Sequence, residues 1–89
     1  MNKNEQIIKA KKIMKRGLEV LVNKHLARKE FTELDQRLLD ELSDLSVTFK
    51  IDDQDVDILC ALQYLYDKDF KGDEDFLPIT IEGKKLLDI

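Results

Sequence analysis

Tryptophan is absent from this chain of 89 residues, and cysteine, histidine and proline each occur once, as Cys60, His25 and Pro78, beside three glycines. A lone cysteine excludes an internal disulfide and agrees with a reducing compartment. One His and one Cys cannot supply a zinc site, and no pair of them has ligand spacing. No nucleophile elbow, phosphate loop or glycine-rich dinucleotide turn is present, so the reading is non-enzymatic, with no catalytic residue, metal or cofactor. There is no run of 18 apolar residues, and charges interrupt the basic N-terminus where a signal peptide would carry its apolar stretch. A cytoplasmic protein without a membrane partner is therefore expected. The scarcity of Gly and Pro, with 38% charged residues, points to long helices joined by few turns.

What is present is a chain that is 43% hydrophobic, enough for one small core, so residues 1–89 are read as a single domain. The stretch Val56–Tyr66 would be apolar on nearly every face of a helix and must be covered all round. It is read as the central buried helix, with Cys60 as a buried thiol. Charge is divided along the chain: residues 1–30 hold nine Lys/Arg and three acids, a net +6, whereas residues 31–89 hold six and sixteen, a net −10. Such asymmetry bears on partners more than on fold.

From Glu5 to about Arg28, Ile7, Met14, Leu18, Leu21, Val22, His25 and Leu26 recur at helical spacing, with Ala10 and Gly17 on the same side. Lys9, Lys11, Lys12, Lys15 and Arg16 crowd the other side, a solvated face or a contact for phosphates or an acidic partner. Gly17 marks a close approach, either within the chain or by a second copy. Thr32 is placed to cap a second helix with Asp35 closing a capping box. Leu34, Leu38, Leu42 and Leu45 form an apolar face with Leu39 beside them and Asp40, Glu41 and Asp44 opposite, and the central helix is its expected partner. Residues Val47–Ile51 change to an alternating pattern, read as a short strand. Asp52 or Asp53 then caps the central helix, whose first turn carries Asp55 and Asp57.

The polar stretch Asp67–Asp75 has some of the spacing of a calcium loop, but Lys71 and Pro78 stand where oxygen ligands belong, so a solvated acidic loop is expected. Ile79–Ile81 is read either as a strand leading into a short last helix, or as part of a hairpin turning at Glu82–Gly83. Leu86 and Leu87 must dock for that last element to be ordered. The fold class is thus mainly α (α+β): a long N-terminal helix, a second helix, a short strand, a central buried helix, and a wing-like strand or hairpin with a last short helix.

The segment Ala61–Phe70, followed by Ile79–Thr80–Ile81–Glu82–Gly83–Lys84–Lys85–Leu86–Leu87, resembles the third helix, wing and closing helix of small bacterial and phage winged-helix proteins. The resemblance covers about residues 33–87 and implies a DNA-binding regulator, with Lys9, Lys11, Lys12, Lys15 and Arg16 as added phosphate contacts. The helix that would enter the major groove, however, begins with Asp52, Asp53, Asp55 and Asp57, and four carboxylates there repel phosphates. The first expectation is accordingly a small regulatory protein-interaction module that binds a partner protein or itself. Its basic surface is the first helix. Its acidic surface is Asp52, Asp53, Asp55, Asp57, Asp73, Glu74 and Asp75. DNA binding is the alternative, and imitation of nucleic acid by the acidic surface, inhibiting a nucleic-acid enzyme, is a further one.

Overall fold

The computed structural model describes residues 2–66 and 83–87. Three helices account for most of them: α1 (Lys3–Leu26), α2 (Glu33–Thr48) and α3 (Gln54–Tyr66). A single helical turn follows at residues 83–86. Of the described residues 81% are helical and none lies in a strand.

Local sequence explains each boundary. Asn2 caps α1, its Oδ1 accepting the Glu5 N–H at 2.8 Å. Thr32 caps α2, and the expected capping box is formed: Asp35 N–H donates to Thr32 Oγ1, while the Asp35 carboxylate accepts the Thr32 N–H at 2.8 Å. Asp53 opens α3, its Oδ1 accepting the Asp55 N–H at 3.0 Å and its carbonyl the Val56 N–H at 3.0 Å.

The strand read at Val47–Ile51 does not form. Val47 and Thr48 are the last turn of α2, and Phe49 is its C-cap. Lys50 then turns left-handed at φ 51°, with its N–H on the Val47 carbonyl and the Ile51 N–H on the Ser46 carbonyl. This is a Schellman ending, whose first residue beyond the helix adopts the left-handed conformation and whose next residue returns an apolar side chain to the core. Ile51 is buried while Val47 points to solvent, so the apparent alternation records a helix end. α1 ends alike, with Arg28 at φ 55° and the Lys29 N–H on the Lys24 carbonyl. A side chain with a Cβ strains in this conformation by about 1–2 kcal/mol. Lys50→Gly is therefore expected to stabilise the chain by about 0.5–1 kcal/mol after the greater unfolded-state freedom of glycine is subtracted. A thermal melt of the variant against the parent checks this, and an unchanged or lower midpoint counts against the ending described.

Short connections make the helices run up, down and up. Lys24 of α1 meets Asp35 of α2 near the first turn, and Lys11 of α1 faces Asp53 ahead of α3. Met14 and Leu21 of α1, Leu39 of α2, and Leu59 and Leu62 of α3 are fully buried between them. Cys60 is also buried, which pushes its thiol pKa up, with the Asp57 carboxylate adding to the shift.

Two glycines set how closely elements approach. A Cβ on Gly17 would lie 2.9 Å from both methyl carbons of Leu42, so Gly17 marks a contact between α1 and α2 of one chain. A Cβ on Gly83 would fall 2.0 Å from the Asp57 carbonyl oxygen and 2.7 Å from the Ala61 Cβ, so the last turn lies directly on the backbone of α3. Leu87, 3% exposed, enters the core behind it, and Lys84 Nζ lies 4.0 Å from the centre of the Tyr64 ring. A hairpin turning at Glu82–Gly83 is excluded by this helical turn. Ile79–Ile81 and the acidic stretch Asp67–Asp75 lie outside the described residues.

Candidate interaction surface

The basic residues of α1 divide into two groups. Lys11 and Lys15 lie toward α3: Lys11 Nζ is 3.8 Å from Asp53 Oδ2, and Lys15 shares a shallow groove with Asp55 and Ile58. The Asp55 carboxyl has its pKa raised, first by burial and then by the Asp53 carboxylate, while Lys15 and Lys11 act the other way. Part of the basic stretch and part of the acidic stretch thus meet inside one chain. Lys9, Lys12 and Arg16 occupy the outer face, all exposed, and no carboxylate pairs with them among the described residues. Asp52 is exposed and Asp57 half-buried. Asp73, Glu74 and Asp75 lie outside the described residues.

The opposite sign is supplied by α2. Asp40, Glu41 and Asp44 are exposed on its outer side, and Gln36 Nε2 donates to Asp40 at 3.3 Å. Leu34 and Val47, at 73% and 75% exposed, are the most exposed large apolar residues of the described chain. Leu34 was expected on the covered face, but that face centres on Leu39, Leu42 and Ser46, and Leu34 lies outside it. Leu26, expected on the core side of α1, is likewise exposed.

At the closed end of the helices, His25 Nδ1 is hydrogen-bonded to the Tyr66 hydroxyl, and Phe31 stacks on the Tyr66 ring at 3.7 Å between centroids. Burial raises the Tyr66 pKa. His25 is thus a half-buried packing residue that satisfies a tyrosine hydroxyl, in line with its place on the apolar side of α1. Beside it, the Asp35 carboxylate takes the Lys24 ammonium as well as the Thr32 backbone and hydroxyl, which holds its pKa below the usual carboxylate value. A depressed folded-state pKa contributes stability that is present above the unfolded value of about 4 and lost as pH falls through the folded value. The melting midpoint should accordingly drop below about pH 4, and the drop should shrink in Asp35→Asn. Equal acid sensitivity in parent and variant would rule this contribution out.

Comparison with protein families, with curated proteins and with solved structures finds no match. The functional reading rests on the chemistry of the surface itself. Among the described residues, no group of three or more His, Cys, Asp or Glu side chains is placed to hold a metal ion. No described helix is long and apolar enough to cross a membrane. An open groove of about 570 Å³ between the start of α1 and the end of α2 is lined by Lys3, Gln6, Ile7, Thr48, Phe49 and Lys50. None of those side chains is fully buried, so the groove fixes no polar group in the dry, held geometry that binding or catalysis of a small molecule uses.

Proposed function

We propose that this protein is a small non-enzymatic interaction module that regulates or assembles by binding protein through the outer face of α1 and an acidic surface. One observation carries the reading: Lys9, Lys12 and Arg16 stand exposed on a single helix face with no carboxylate partner among the described residues, while the neighbouring lysines are turned to the acids of α3. Three cations within eight residues span only about 10 Å, a length suited to an acidic stretch on another protein. A duplex-binding surface would track several phosphates and release correspondingly many counterions.

The test is retention of proteins from a nuclease-treated extract by the immobilised chain, in parallel with Lys9→Glu/Lys12→Glu/Arg16→Glu, at about 50 mM and about 500 mM salt. The expected result is a protein band that depends on the three cations and is lost at high salt. Recovery of the same bands by both forms, or no band together with retention of a purified DNA duplex applied separately without nuclease, would overturn the reading.

A further inference from the structure

The contact between Gly17 and Leu42 lies at the floor of a seam between α1 and α2, and the residues around it sort into two sides. On α1, the neighbours Met14 and Leu21 are fully buried, whereas Ile13 and Val20, four before and three after Gly17, are 48% and 58% exposed. On α2 the pattern repeats about Leu42: Leu39 and Ser46 are buried, while Leu38 and Leu45, four before and three after, are half-buried. Residues three and four apart share a helix face, so Ile13, Val20, Leu38 and Leu45 make one solvent-facing apolar strip along the seam. Its α1 border is basic through Lys9 and Arg16, and its α2 border carries Glu41, with the exposed Arg37 and Asp44 further round the helix.

We infer that this seam is a self-complementary interface and that its occupant is a second copy of this chain. The inference rests on the reading of an interaction module and names its partner. A two-fold axis parallel to the helices lays α1 of one copy, antiparallel, on α2 of the other. It sets Arg16 of each copy against Glu41 of the other, as an isologous dimer requires. The levels agree. With Gly17 opposite Leu42 and Lys24 opposite Asp35 within one chain, the sum of facing residue numbers is 59, which puts Arg16 within two residues of the level of Glu41. The same relation puts Ile13 level with Ser46 and Leu45, and Val20 level with Leu39 and Leu38. A two-fold axis along the helices preserves level, so these residues also face across the interface. An apolar strip edged by opposite charges is the usual anatomy of a protein contact.

Size sets the strength. α2 is 16 residues long, about 24 Å, and two adjacent helices are about 20 Å wide, so each copy covers roughly 500 Å² of face. That falls below the roughly 800 Å² per partner of standard interfaces, so the dimer is expected to be weak and to weaken further with salt.

Sedimentation equilibrium of the purified chain tests this over about 1 µM to 1 mM at low and high salt. Val20→Glu places a charge on an already exposed position and should weaken dimerisation by about tenfold, with helical content unchanged. Arg16→Glu and Glu41→Arg should each weaken it several-fold, and the two together should restore it, because the swap re-pairs the borders between copies. A monomer throughout the range overturns the inference, as does a dimer indifferent to Val20→Glu or not restored by the swap. If the chain is monomeric but still retains an extract protein through Lys9, Lys12 and Arg16, the second copy is excluded while the interaction module stands. Loss of both excludes both.

Discussion

Gly83→Ala is expected to lift the last helical turn off α3 and to lower stability by about 2 kcal/mol, roughly the burial of one leucine side chain. The reason is what the new methyl would meet. It would fall 2.0 Å from the Asp57 carbonyl oxygen, which is helix backbone and has no freedom to step aside. The turn must move as a unit, and with it go the burial of Leu87 and the approach of Lys84 to the Tyr64 ring. Hydrogen exchange reads this directly. The Leu87 amide, which donates to the Gly83 carbonyl at 3.0 Å, should lose its protection in the variant while amides in the middle of α1 keep theirs relative to the global stability. Unchanged exchange at residue 87 together with an unchanged melt would show that the turn does not pack on α3 in this way. Gly17→Ala is the informative contrast. There the clash is with the methyl ends of Leu42, which can rotate in part, and about 1 kcal/mol of helix propensity offsets the crowding.

Leu39→Ala should cost about 2–5 kcal/mol, the range for truncating a leucine in a filled core. Leu39 is fully buried between the three helices, so the cavity left behind has neighbours on every side. Against a total stability of about 5–15 kcal/mol this is a large fraction, and the midpoint of thermal unfolding should fall by about 10–40 °C. Leu34→Ala, at a position 73% exposed, should stay within about 0.5 kcal/mol when measured on the dilute chain. Equal losses at the two positions would mean that the core face of α2 is centred elsewhere.

The pair also shows where periodicity stops being informative. Leu34, Leu38, Leu42 and Leu45 follow one another at helical spacing and read as one face. Leu39, one residue off that line, is the one that is fully buried. Two helices pack on α2, and the line midway between them is the buried one, which shifts the core toward Leu39 and Ser46 and leaves Leu34 at the rim. The strand read at Val47–Ile51 failed for a related reason. Alternation of period two is shared by a strand and by a helix that ends in a left-handed residue followed by an apolar return. A glycine at position 50 would have exposed the ending, and lysine concealed it. The charge split was legible as a sum, but not how it is used: Lys11 and Asp53 lie 42 residues apart, and only the return of α3 along α1 brings them together.

Composition and local order by themselves determined that α1, α2 and α3 are helices, that Thr32 and Asp35 start the second of them, and that a basic first third precedes an acidic remainder. Those properties are set by neighbours within about four residues, the range of capping bonds and of a helical turn. Which leucines are core, which lysines are already opposed by acids, and that Gly17 faces Leu42 and Gly83 faces Asp57 were decided by the tertiary structure. Each depends on the angle at which one helix meets another, and no local pattern encodes that angle.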